Sequence, residues 1–123
     1  MLNGCRVLIV EDEAVVAEDL KHILTDAEAV VIGPFASVSE ARKLLKGGTP
    51  VDAALLDLNL SDGPVTPLLE TLHASGVPTV IYSGGRVAEH VRRRHPDLVA
   101  LSKPVVPARL LAELRRVRAR RML

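Results

Sequence analysis

The sequence is poor in cysteine and aromatic residues: its 123 residues include one cysteine, one tyrosine, one phenylalanine and no tryptophan. With Cys5 alone, the chain can form neither an internal disulfide nor a zinc site made of several cysteines. No apolar run is long enough to cross a bilayer, and the polar start MLNGCR lacks the apolar stretch of a signal peptide. We therefore expect a cytoplasmic protein that has no contact with a membrane.

Low-complexity segments and internal repeats are also missing, and glycine and proline are scattered along the chain instead of being pooled into a linker. Hydrophobic residues make up 48% of the sequence, which is enough to build one compact core. We interpret residues 1–123 as a single domain.

Charge is distributed unevenly along the chain. Residues 1–85 contain 5 Lys or Arg and 12 Asp or Glu, whereas residues 86–123 contain 11 and 3. The formal net charge of +1 therefore hides an acidic first part and a basic last part. A basic surface of this kind suits an acidic protein partner, and the lack of an aromatic set for base stacking disfavours nucleic acid.

Short apolar runs alternate with amphipathic segments. The runs are rich in Val, Ile or Leu and occupy residues 6–10, 29–32, 53–56, 79–82 and 98–101. Helix signals lie between and after them, such as the capping box from Ser37 to Glu40, and Thr66 as a cap before Pro67. Strands that alternate with helices form a parallel sheet covered on both faces. The pattern therefore predicts an α/β fold with a doubly wound five-stranded parallel sheet.

Polar residues follow the predicted strands, whose carboxyl ends meet at one edge of such a sheet. They are Glu11 and Asp12 after the first run, Asp57 after the third, Ser83 after the fourth and Lys103 just after the fifth. Clustered carboxylates with no His or Cys nearby suit Mg²⁺. A lysine and a serine at the same place can bind the oxygens of a phosphoryl group, and an aspartate can itself become phosphorylated.

The motifs that carry these residues are VEDE, AALLDLNLSDG, VIYSGG and SKP, and in this order they resemble the response regulator receiver domains of two-component signalling over essentially the whole chain. The resemblance implies a flavodoxin-like (βα)5 fold with strand order 2-1-3-4-5. It makes Asp57 the phosphoacceptor, with Ser83 and Lys103 as the other catalytic groups. The implied ligands of Mg²⁺ are Glu11, Asp12, Asp57 and the backbone carbonyl of Asn59.

The resemblance also implies a reaction and partners. A histidine kinase or histidine phosphotransfer protein donates the phosphoryl group, the small Gly84 leaves room for it, and the Lys103–Pro104 bond is commonly cis in the family. Beyond assisting its own phosphorylation and dephosphorylation, such a protein is not expected to turn over a separate substrate. Because the sequence stops after its fifth helix, we expect a stand-alone receiver that docks a partner or passes on or drains phosphoryl groups.

The output surface is predicted to be the basic face that begins at Arg86 and ends at Val117, with a downstream protein or a second copy of the chain as its partner.

One position departs from the family pattern. Receivers usually carry a Tyr or Phe three residues before the lysine, and this chain has Ala100 there. Tyr82 could take over the reporting role of that aromatic residue, although a tyrosine buried in a strand for packing explains it more simply.

Two other classes of protein stay open at this stage. An aspartyl-phosphate phosphatase shares the Asp nucleophile and Mg²⁺, but normally has an acid two residues later, where this chain has Asn59. A nucleic-acid binder would use the basic last part of the chain, including the arginines at 92–94 and at 115, 116, 118, 120 and 121, although solvated helix faces explain those arginines more simply. The histidines at positions 22, 73, 90 and 95 show no metal-ligand spacing and are interpreted as solvated or helix-face residues.

Overall fold

The computed structural model describes residues 2–58, 60, 62–63, 65–84, 89–96 and 98–122, without the side chains of residues 89, 90 and 120–122. Strands and helices alternate along the chain. The strands are β1 (Arg6–Val10), β2 (Val30–Phe35), β3 (Ala53–Asp57), β4 (Thr79–Ser83) and β5 (Val99–Ser102). The helices are α1 (Ala14–Asp26), α2 (Val38–Lys46), α3 (Thr66–Ala74), α4 (Glu89–Arg94) and α5 (Pro107–Met122).

The strands form one parallel sheet in the order β2-β1-β3-β4-β5, which confirms the predicted topology. β1 and β3 are neighbours, and the chain winds outward from them in opposite directions, so the strand order reverses at this pair. The register pairs Val10 with Leu56 across β1 and β3, and Asp57 with Tyr82 across β3 and β4. The carboxyl ends of these strands therefore lie level at one edge of the sheet.

Helices cover both faces of the sheet, which explains why the central strands are apolar without alternation. All five residues of β3 are buried. The face covered by α1 and α5 is filled by core residues that include Leu20, Leu24, Leu110 and Leu114. The opposite face is filled by residues of α2, α3 and α4, including Ala41, Leu68, Leu72 and Val91. Each fully buried leucine contributes about 1.5–3 kcal/mol, so these two cores fix the positions of the strand ends.

The strands end slightly later than the sequence predicts. Asp57 and Ser83 are the last residues of β3 and β4, whereas we expected them to follow those strands. The difference has a physical reason, because the backbone of Asp57 pairs with Tyr82 and that of Ser83 pairs with Ser102 on the neighbouring strands. Pairing with a neighbour continues the strand through residues whose polar side chains alone would suggest a loop.

Two further predictions about element ends were wrong. Thr66 is the first residue of α3 and not its cap; Val65 occupies the cap position, and its backbone carbonyl accepts the N–H groups of Leu68 and Leu69 at 3.0 Å. β2 reaches Phe35, beyond the predicted end at residue 32. Its Pro34 is tolerated because β2 is an edge strand with a free side.

Gly33 in β2 is required by its surroundings. Its φ is +102°, and a Cβ at this position would come within 2.8 Å of the Phe35 nitrogen and 3.0 Å of the Ile9 carbonyl oxygen. The strand therefore approaches β1 more closely here than a residue with a side chain would allow. None of the helices that the structure describes is long and apolar enough to span a membrane.

Candidate functional site

The register of the sheet brings two acidic residues together. Val10 pairs with Leu56, so the residues that follow them, Glu11 and Asp57, lie at the same level of neighbouring strands. Their exposed fractions are only 2% and 1%. Two carboxylates buried this closely are costly unless a cation offsets their charge.

Asp12 joins this pair to form an acidic cluster of Glu11, Asp12 and Asp57. One carboxylate oxygen from each of the three lies within 4.8 Å of the other two. In the described part of the chain, no His or Cys belongs to the group. A set of oxygen donors alone fits a hard cation such as Mg²⁺, which also keeps several waters. Asn59, the fourth predicted ligand, lies outside the described residues.

Lys103 reaches into the acidic cluster from the end of β5. Its ammonium nitrogen, Nζ, donates a hydrogen bond to Asp57 Oδ2 at 3.3 Å and lies 3.7 Å from Glu11 Oε1. Its backbone N–H donates to the carbonyl of Ser83 at 2.9 Å, and the Lys103–Pro104 bond is cis, as the resemblance implied. Burial by itself would lower the pKa of Lys103, but the Asp57 and Glu11 carboxylates outweigh burial and raise the pKa above its ordinary value.

Both oxygens of the Glu11 carboxylate accept hydrogen bonds from the protein. The Tyr82 hydroxyl donates to Oε1 at 3.0 Å, and the backbone N–H of Glu13 donates to Oε2 at 3.1 Å. Burial nevertheless raises the pKa of Glu11 to about 7, and the neighbouring Asp57 adds to the rise against these two donors. Glu11 therefore carries a charge that this environment stabilises poorly without a cation.

Ser83 lies at the same edge of the sheet, buried at the end of β4. Its register partner Ser102 directly precedes Lys103, so both predicted phosphoryl-binding side chains start from this edge. Gly84, which follows Ser83, is exposed, and among the described residues other than its chain neighbours no atom lies within 4 Å of the place where a Cβ would stand.

Tyr82 is the residue whose role the sequence did not reveal. It is fully buried and pairs with Asp57 across β3 and β4, yet its hydroxyl reaches Glu11, 71 residues earlier in the chain. The Lys103 ammonium lies 5.2 Å from the centre of its ring. A lone tyrosine in an apolar strand signals that its hydroxyl needs a buried acceptor, but not which acceptor.

The histidines meet their predicted description only in part. His22 is exposed on α1, in agreement with a solvated residue. His95 is not solvated: it is 8% exposed and its ring packs edge-to-face against His73, with centroids 5.7 Å apart. The side chain of His90 lies outside the described part of the chain.

The comparisons agree with this geometry. The profile of the family described as response regulator receiver domain matches residues 7–115. The chain belongs to this family. A search of curated proteins by sequence found no match.

Solved structures resemble the receiver domain over nearly its whole length. The response regulator receiver protein from Sinorhizobium medicae WSM419 is 26% identical, with a TM-score of 0.87 over 98% of this chain and 99% of that one. The CheY-like receiver domain protein from Methanospirillum hungatei JF-1 is 25% identical, with a TM-score of 0.86 over 98% of both chains. SdrG from Pseudomonas melonis Fr1, solved in a beryllofluoride-activated conformation, is 35% identical, with a TM-score of 0.73 over 93% of this chain and 98% of that one.

Proposed function

We propose that this receiver domain accepts a phosphoryl group on Asp57 from a phosphohistidine of a histidine kinase or histidine phosphotransfer protein, and that Mg²⁺ bound by the acidic cluster is required. The observation that carries the proposal is the convergence of three carboxylates and one ammonium at the carboxyl edge of the sheet. Buried carboxylates close to one another and to a lysine are typical of functional sites. Asn59 is proposed as a further metal ligand.

The reaction transfers a phosphoryl group between two side chains. Bound Mg²⁺ supplies positive charge that offsets the carboxylates and the phosphoryl oxygens. An oxygen of Asp57 forms the new O–P bond while the N–P bond of the phosphohistidine breaks, and the imidazole leaves with the electron pair of that bond. Lys103, which donates a hydrogen bond to Asp57, is proposed to bind the phosphoryl oxygens, and Ser83 is proposed to donate a second hydrogen bond to them.

The proposed output is a docking event, or the passing on or draining of the phosphoryl group, and not the turnover of a separate substrate. Exposed arginines lie on α4 and α5, among them Arg92, Arg93, Arg115 and Arg116. This charge supports an acidic downstream protein as the partner of the face from Arg86 to Val117. A second copy of the chain is the alternative partner proposed for it. A cytoplasmic location belongs to the same proposal.

A small-molecule phosphodonor tests the proposal directly. We expect acetyl phosphate and Mg²⁺ to add one phosphoryl group, seen by intact-protein mass, and we expect no addition to Asp57→Asn or in the presence of EDTA. Asp19→Asn, which changes an exposed aspartate on α1, is the matched control and should react like the native chain. Equal phosphorylation of Asp57→Asn and the native chain would overturn the assignment.

Beryllofluoride provides a second test, because it imitates a phosphoryl group and one similar structure, that of SdrG, was solved in the form activated by it. We expect beryllofluoride with Mg²⁺ to raise the melting temperature of the native chain. Asp57→Asn should show no such rise. A rise of the same size in both proteins would place the binding of beryllofluoride away from Asp57.

A further inference from the structure

Tyr82 has an unusual partner for a tyrosine in a sheet core. Its side chain is fully buried in the core on the α1 and α5 side of the sheet. A buried phenol needs an acceptor for its hydroxyl proton. Here the acceptor is the carboxylate of Glu11, a member of the acidic cluster, at 3.0 Å.

The hydrogen bond from Tyr82 is one of two that hold the Glu11 carboxylate in a single orientation. The Tyr82 hydroxyl donates to Oε1 and the backbone N–H of Glu13 donates to Oε2, so both oxygens of the carboxylate accept a hydrogen bond. Each oxygen has a second lone pair that these two hydrogen bonds do not use. With its rotation fixed in this way, the carboxylate presents those lone pairs in one direction instead of sampling several.

The ring of Tyr82 also lies beside the lysine of the site. Lys103 Nζ is 5.2 Å from the ring centre, 3.7 Å from Glu11 Oε1 and 3.3 Å from Asp57 Oδ2. A cation at this distance from an aromatic ring is attracted to the ring face. One buried side chain thus contacts both a predicted metal ligand and the group predicted to bind phosphate.

We propose that Tyr82 is a positioning residue of the phosphorylation site: its hydroxyl orients Glu11 for the metal ion, and its ring flanks Lys103. This inference rests on the proposed function. Hydrogen bonds to a metal-ligating carboxylate typically change metal affinity by about 10- to 100-fold. Tyr82→Phe keeps the ring and removes the hydroxyl, so it separates the two contacts.

The expected result is a loss of metal affinity without a loss of the phosphorylation reaction itself. Measured by isothermal titration calorimetry, Tyr82→Phe should bind Mg²⁺ at least about tenfold more weakly than the native chain. Phosphorylation by acetyl phosphate should be slow at low Mg²⁺ and recover when Mg²⁺ is saturating. Thr79→Val is the matched control, because it removes a hydroxyl from the other end of β4 and should bind Mg²⁺ like the native chain.

A spectroscopic measurement on the native chain does not depend on how the variant folds. Tyr82 is the only tyrosine and the sequence has no tryptophan, so the near-ultraviolet absorption of the protein reports on this phenol. Because the phenol donates a hydrogen bond to Glu11, we expect its absorption to change as Mg²⁺ binds, with the same dependence on Mg²⁺ concentration as the calorimetric titration. An absorption spectrum unaffected by saturating Mg²⁺, or a Tyr82→Phe variant that binds Mg²⁺ as tightly as the native chain, would overturn the role of Tyr82.

These outcomes are distinguishable from a failure of the proposed function. If the native chain neither binds Mg²⁺ nor becomes phosphorylated on Asp57, the proposed function is wrong, and the inference about Tyr82 is wrong with it. If the native chain does both and only the Tyr82 measurements fail, the receiver chemistry stands and Tyr82 is a core residue.

Discussion

Glu11 couples the stability of the metal-free fold to pH. The folded protein raises the pKa of Glu11 from an ordinary value of 4.5 to about 7, so the folded state binds a proton more tightly than the unfolded state. The resulting stabilisation is fully present below pH 4.5 and is lost as the pH rises through 7. In EDTA, we expect the free energy of unfolding to fall over this interval by on the order of 3 kcal/mol through Glu11.

Glu11→Gln tests this pH dependence, because glutamine keeps the shape of the side chain and cannot ionise. Chemical denaturation at several pH values should give a flatter profile for Glu11→Gln than for the native chain. Glu18→Gln, which changes an exposed carboxylate on α1, should keep the native slope. If Glu11→Gln also kept that slope, the pH dependence would come from another group.

Lys103 is expected to act on the phosphoryl group and not on the metal. In Lys103→Ala the acidic cluster keeps its three carboxylates and loses a neighbouring positive charge, so stabilisation by Mg²⁺ should be at least as large as in the native chain. A charge-assisted hydrogen bond contributes about 1.5–3 kcal/mol, so phosphorylation by acetyl phosphate should slow by roughly tenfold or more. Native phosphorylation kinetics in this variant would contradict the role of Lys103.

At the scale of elements, Asp62, which lies between β3 and α3, is hydrogen-bonded to the start of α2. The Asp62 carboxylate accepts the backbone N–H groups of Val38 at 3.0 Å and Ser39 at 3.3 Å. These N–H groups have no partner within the helix, and a negative charge there also suits the helix dipole. Asp62 thus supplements Ser37, whose side chain accepts the N–H of Glu40.

Removing this second cap should weaken the fold measurably. We expect Asp62→Ala to lower stability by about 1 kcal/mol, or roughly 3–5 °C in melting temperature. Asp26→Ala, at the end of α1, is the control and should melt higher than Asp62→Ala. A melting temperature equal to that of the native chain would show that the tie between Asp62 and α2 contributes no stability.

Elements with local signals were predictable from the sequence. The capping box from Ser37 to Glu40 placed the start of α2, because its hydrogen bonds join residues three apart. The strand ends were less predictable, since the pairing of Asp57 with Tyr82 and of Ser83 with Ser102 depends on neighbouring strands. Local polarity suggested a loop, and pairing across the sheet overrode it.

The candidate site shows the same division. Its acidic cluster and lysine were predictable because a parallel sheet gathers its strand ends at one edge, whatever the details of packing. The hydrogen bond between Tyr82 and Glu11 was not predictable, because it joins side chains that are 71 residues apart in the chain and meet inside the fold. That contact depends on how deeply each side chain is buried and on which rotamer it adopts, and the sequence pattern predicts neither.

At the scale of the whole molecule, the acidic cluster and the exposed arginines occupy different places. The acidic cluster lies at the carboxyl edge of the sheet, whereas exposed arginines lie on α4 and α5. Some of this charge is already neutralised within the fold. Arg94 lies 2.9 Å from Glu70 Oε1, and Arg116 makes a short ion pair with Glu113. If the proposed function is right, we expect that variants can alter phosphorylation and docking independently.

Reversing charge on α4 should therefore affect docking and spare phosphorylation. We expect Arg92→Glu with Arg93→Glu to slow association with immobilised polyglutamate, the acidic probe, by about tenfold at low salt, because charge complementarity mainly accelerates encounter. The difference in association rate should become smaller at higher salt, because salt screens the interactions between exposed charges. Lys21→Glu with Lys43→Glu makes the same change in net charge on α1 and α2 and should slow association less. Both double variants should still gain one phosphoryl group by mass. Equal slowing by the two pairs would mean that net charge alone, and not the position of the arginines on α4, governs association.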